Sequence, residues 1–201
     1  MRTSDLKTVS GHPLFEVVSA LQKSIRRGLE RDALYWATEM DMSNYGEYVW
    51  KRLRIISSED VGVAEANIPT NIRALYENWK DAKKKKDTKN FPERLFLVHA
   101  VVLLSRAKKS RIIDHALLLF YNAHRDGTKE MPDYVYDKHT GKGRSMGRGV
   151  QHFFDEASHL ENMADVTDPY KAGALKIMLE TNGKQRGQGG TLDPNQYELP
   201  L

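Results

Sequence analysis

The chain has 201 residues, no cysteine and a formal net charge of +4. That length suits one domain with a short appendage and is enough to bury a core. The lack of cysteine excludes disulfides and cysteine-based zinc sites and makes a cytoplasmic location the expectation.

The first residues, MRTSDLKTVSGHP, have no apolar h-region and do not read as a secretory signal. Residues 13–27 then read PLFEVVSALQKSIRR. Leu14, Val17, Val18, Leu21 and Ile25 recur at helical spacing, Pro13 suits the start and Gly28 the stop. Glu30 to Met40 places Ala33, Leu34, Ala37 and Met40 on one stripe, with Tyr35 and Trp36 beside it. Ser43-Asn44 predicts a turn, and 45–57 a third helix carrying Tyr45, Tyr48, Val49, Leu53 and Ile56. Asp60-Val61-Gly62 predicts a break. A fourth helix follows Ile68-Pro69 and fades into Lys83–Lys86.

Asn90-Phe91-Pro92 reads as the start of a helix over 92–106. Leu95, Phe96, Leu97, Val98, Val101, Val102, Leu103 and Leu104 make it apolar on nearly all sides, which predicts the centre of a bundle. This longest apolar stretch is too short to span a bilayer, so no membrane contact is expected. A helix over 109–125 should turn Ile112, Ile113, Ala116, Leu117, Phe120 and Tyr121 inward. From Gly127 to Gly149 the chain is rich in glycine and basic residues and reads as irregular. Helices are expected over about 150–162 and 168–180, before a glycine-rich tail that reads as poorly ordered. No alternating pattern argues for a sheet. The expected core includes Leu21, Leu34, Trp36, Leu53, Ile56, Leu97, Val101, Leu104, Leu117 and Phe120.

Three segments occur in order: KSIRRGLERDALYW at 23–36, RLRIISSEDVG at 52–62 and HAVVLLSRAKKSR at 99–111. Together they resemble the C-terminal domain of the replication-associated recombination protein A family, also called MgsA. That family carries K-S-x-R before D-A-A-L-Y-W, then R-x-x-S-E-D-I-G, then a helix ending in A-P-K-S. The resemblance covers about residues 12–125. Gln22 stands where the family usually has histidine, and Lys108 replaces the usual proline. The family's AAA+ ATPase module precedes this domain, whereas here only residues 1–11 do. No G-x-x-x-x-G-K-[ST] phosphate loop occurs in the sequence.

The resemblance therefore implies a stand-alone all-α domain, an antiparallel helical bundle of the clamp-loader collar type at 12–126. A basic loop, two helices and a tail at 127–201 are appended to it. It also implies oligomerisation, replication-fork maintenance or recombination, and a separate AAA+ ATPase subunit as partner. No catalytic motif and no cofactor are expected. Lys23, Ser24, Tyr35, Trp36, Ser58, Glu59, Asp60 and Gly62 carry the family pattern. They are read as an interface, and the Ser57–Gly62 stretch alternatively as helix caps and a turn.

Two further constellations stand outside those segments or at their edge. Lys108, Lys109 and Arg111, with Lys138, Lys142, Arg144 and Arg148, are candidate DNA contacts, because phosphate binding needs several cations on one surface. The plainer reading is a solvated charged face and a mobile basic linker. His152, Glu156 and His159 fall on one helical face and could serve a metal-dependent enzyme. No second E-x-x-H accompanies them, and no metal is expected. His99 and His115 lie in apolar helices and read as core histidines.

Overall fold

The structure is a computed structural model that describes residues 6–85, 87 and 89–185. It is all-α, and no strand occurs among the described residues; Lys7 and Pro13 form an isolated bridge. The chain divides into two units, Met1–Gly127 and Thr128–Leu201.

The first unit holds α1 (Leu14–Arg26), α2 (Glu30–Met42), α3 (Gly46–Ile56), α4 (Ile68–Lys84), α5 (Pro92–Arg106) and α6 (Ile112–Asp126). The amphipathic spacing decides what is buried. On α1 the stripe Leu14, Val17, Val18, Leu21 and Ile25 is buried, as the period requires. Gly28 ends α1 at φ +70°, the left-handed conformation that glycine adopts most cheaply. Leu29 N–H then donates back to Ser24 O at 2.9 Å, satisfying a carbonyl of the last turn. Pro69 and Pro92 sit in the first turns of α4 and α5, where a missing N–H costs nothing.

α1 packs on α2, α2 on α5, and α5 on α4. Between them Leu21, Ile25, Ala33, Met40, Val49, Trp50, Leu53, Ile56, Ile72, Val101 and Leu104 are fully buried. Each of the larger side chains contributes roughly 1.5–3 kcal/mol through burial. Leu34 and Trp36 pack on the edge of this core and are half-buried.

Three expectations need correction here. α5 packs on all of α1 to α4 but is not covered on every side: Leu97, Ala100, Val101 and Leu104 are buried, whereas Leu95 and Val98 are exposed. α6 does not turn its apolar residues inward. Leu117 is 51% and Phe120 68% exposed, with Ile112, Ile113 and Tyr121 exposed as well. The reason is geometric: α6 packs mainly on the turns between α3 and α4, so most of its length has no helix over it. His99 and His115 are exposed rather than core residues.

Between α3 and α4 the chain makes a π turn, Ser57–Val61, and then a 3₁₀ turn, Gly62–Glu65. This is the break expected at Asp60-Val61-Gly62. Gly62 has φ +47°, and a Cβ there would meet Ile113 Cγ1 at 3.0 Å. The glycine is thus what lets the first turn of α6 approach.

The second unit is more ordered than an irregular linker. It has a 3₁₀ turn, Asp133–Val135, then α7 (Gly141–Ser145), α8 (Val150–His152) and α9 (Lys171–Gln185). α8 runs into a π turn, Phe153–Ala157, and stops there rather than near 162. Ser158 N–H donates to Phe153 O at 2.7 Å, and its hydroxyl donates to Phe154 O at 3.0 Å, which closes the turn. The glycine-rich tail from 186 onward and Lys86 of the lysine run lie outside the described residues.

Candidate functional site

The family-like motif folds into a polar hub. The Asp60 side chain is fully buried and accepts from Arg26 Nε at 2.6 Å. Arg26 Nη2 donates to Glu59 Oε1 at 2.9 Å and to Asp60 Oδ2 at 3.3 Å. Gln22 Nε2 lies 3.4 Å from Asp60 Oδ2, and Arg52 donates to the Gln22 amide oxygen. The hydrogen bond to Asp60 raises the Arg26 guanidinium above its ordinary pKa, against the opposing effect of burial.

The motif also holds the start of α6. Asp60 O accepts from Ser110 N at 2.9 Å, and Glu59 lies 3.7 Å from Arg111, which is paired with Asp114. The segments at 52–62 and 99–111 are therefore one contact. Of the family-pattern residues, Ser24 and Asp60 are buried, while Lys23, Tyr35 and Ser58 are exposed. Trp36 meets Tyr35 edge-on at 4.8 Å and His12 at 5.7 Å.

The three cations after α5 do different things. Lys109 Nζ donates to the carbonyls of Leu104 at 2.7 Å, Ser105 at 3.2 Å and Ala107 at 2.6 Å. It caps the carbonyl end of α5, and partial burial lowers its pKa. Arg111 is held by acids, and Lys108 is exposed, with its backbone N–H on Glu65 at 2.5 Å.

Beside the hub lies a groove of about 520 Å³, lined by Lys51, Arg54 and Ile55 of α3, Ser58 and Glu59, and Ile113, Asp114 and Leu117 of α6. Beyond it, α6 also exposes Leu118, Leu119, Phe120 and Tyr121. These consecutive positions point to several sides of α6. A helix apolar on several sides is stable only where other chains or helices cover it.

In the second unit the 133–149 loop is built around buried Asp137. Its carboxylate accepts from His139 N at 2.9 Å and from His139 Nδ1 at 2.8 Å. Thr140 caps α7, its Oγ1 accepting from Gly143 N at 3.0 Å. A Cβ at Gly143 would fall 2.0 Å from Asp137 O, so the backbone here closes only over glycine. Arg148 Nη1 donates to Asp133 O and Tyr136 O, both at 2.8 Å, and its Nη2 to Asp133 Oδ2 at 2.6 Å. Arg144 donates to Lys138 O at 3.4 Å and His139 O at 3.1 Å. Lys142 Nζ sits 4.0 Å over Tyr136 and Lys138 Nζ 5.3 Å over Phe153.

The pair Asp137–His139 was not singled out from sequence; two residues apart in a loop, it gives no periodic signal. Hydrogen bonding from His139 holds the Asp137 carboxyl below its ordinary pKa, despite the raising effect of burial. A depressed folded value means the pair stabilises the loop above the unfolded carboxylate pKa of ~3.9, and loses that as pH falls through the folded value. The carbon-13 carboxyl titration of Asp137 should accordingly have its midpoint below ~3.9. An unshifted midpoint would count against the pair.

His152, Glu156 and His159 do not form one helical face. The π turn changes the register, the helix ends at Ala157, and His159 pairs instead with Glu161 at 3.2 Å. Among the described residues no group of three His, Asp or Glu side chains is placed to hold a metal ion. Nor is any helix there long and apolar enough to cross a membrane.

The family described as MgsA AAA+ ATPase C terminal matches residues 30–172, reaching past the 125 limit read from the motifs and into the second unit. The Replication-associated recombination protein A of Haemophilus influenzae is 28% identical over 149 residues, covering 71% of this chain and 31% of that protein. The protein of the same name from Bacillus subtilis is 27% identical over 183 residues, covering 89% of this chain and 40% of its own length. The chain thus spans less than half the length of these relatives. With most of its residues matched, the chain belongs to the MgsA AAA+ ATPase C-terminal family.

Proposed function

We propose that this chain is a non-catalytic assembly module of replication-associated recombination, of the collar type, which self-associates through α6. The observation that supports it most directly is the exposed apolar surface of α6 and the groove beside it. A second copy is the fitting occupant because the groove is self-complementary in charge. Lys51 and Arg54 of α3 line it together with the acids Glu59 and Asp114, so a two-fold axis across it brings unlike charges together. Ile55, Ile113 and Leu117 supply apolar area between them. In this reading the hub fixes the angle at which α6 leaves the bundle, and the chain contributes assembly to a separate AAA+ ATPase subunit.

Sedimentation equilibrium of the purified chain tests this. Mass rising with concentration to a defined oligomer is the expected result. A monomer at the highest concentrations reached would overturn it. Coexpression with an ATPase of the family tests the partner, with a stable complex expected and separate elution counting against it.

A further inference from the structure

The 133–149 loop has sorted its cations into two kinds. Arg144 and Arg148 spend their donors on carbonyls of the loop itself, and Arg148 also neutralises Asp133. The other acid, Asp137, is buried and engaged by His139. What remains is Lys138, which is half-buried, and Lys142, which is exposed. Among the described residues neither lies in an ion pair, and each has its ammonium over an aromatic ring. A ring face holds a cation without neutralising it and leaves its N–H groups free for an oxygen ligand. Tyr134 lies on the same loop, 66% exposed, in the 3₁₀ turn that Arg148 ties down.

This juxtaposition is preorganised. Asp137, Thr140, Gly143 and Arg148 fix the backbone, so the ammonium groups and the free ring are presented with little further ordering to lose on binding. Unneutralised ammonium groups on one loop with an exposed ring suit a polymer that offers phosphates and unstacked bases together. We propose that the 133–149 loop is a contact for single-stranded nucleic acid, in which Lys138 and Lys142 take phosphates and Tyr134 stacks on a base. This is independent of self-association through α6.

The test is fluorescence anisotropy of the full chain with labelled dT20 and rU20, against a duplex of the same length. Wild type should bind the single strands more tightly than the duplex; the comparison of dT20 with rU20 tells which sugar is preferred. The double variant Lys138→Gln, Lys142→Gln leaves Arg144, Arg148 and Asp137 in place. It should weaken single-strand binding at least tenfold and reduce the slope of log K against log salt by about 1.4, two phosphates at about 0.7 each. Tyr134→Ala should weaken it at least fivefold. Amide exchange over 133–149 matching wild type shows that the loop still folds in each variant. Unchanged affinity in either variant, or a wild type that binds only duplex or neither strand, overturns the proposal.

Discussion

Replacing Arg26 with leucine is expected to lower the unfolding free energy by about 3–5 kcal/mol, the range found when one partner of a buried ion pair is removed. The size follows from where the charge is left. The Asp60 side chain is fully buried, whereas Arg26 is 28% exposed and can reach water. Without Arg26, the side chain left within hydrogen-bond reach of the Asp60 carboxylate is Gln22, at 3.4 Å, itself held by Arg52, while the Lys109 ammonium acts on it only through space. A neutral amide does not repay the desolvation of a carboxylate. The double variant Arg26→Leu, Asp60→Asn removes the stranded charge and should recover much of the loss. Urea denaturation of the three proteins measures this. A loss of under about 1 kcal/mol in the single variant would mean that the hub is not what holds this corner.

The hub also shows what sequence can and cannot disclose. The stretch Ser57–Gly62 is conspicuous as a motif, and its break between helices is legible from Asp60 and Gly62. Its partners are not legible, because Arg26 and Ser110 lie 34 and 50 positions away from Asp60 and no local period connects them. The cations show the same limit. Arg148 and Lys109 read as surface charge from composition, but their acceptors are backbone carbonyls that only the fold assembles. The helices α1 to α4 are legible because each carries a stripe at the helical period that this chain itself buries, and α5 from its start signal and its unbroken apolar run. α8 is not, since residues 150–162 keep apolar positions through a π turn that the period does not register. α6 is the instructive case. Its existence and its end follow from sequence, though it starts at Ile112 rather than 109, but an apolar face carries no mark of whether its own chain or another covers it.

That distinction gives the last prediction its force. Leu117→Glu together with Phe120→Glu is expected to reduce the assembled species to single-chain mass, weakening self-association at least 100-fold. Two buried carboxylates across one seam repel each other and forfeit the apolar area there. Were Leu117 and Phe120 core residues, the same changes would unfold the protein. They are instead 51% and 68% exposed, so the dissociated chain should keep its melting temperature under conditions where wild type is also monomeric. Leu21→Ala is the contrasting control. Leu21 is fully buried, and its truncation should cost about 2–5 kcal/mol while leaving the mode of association intact in the molecules that remain folded. Loss of mass with retained stability in the first variant, and the reverse in the second, separates a surface kept for a partner from a core kept for the fold. Unfolding of the α6 variant would place that helix in the core after all. An unchanged mass would move the assembly surface elsewhere.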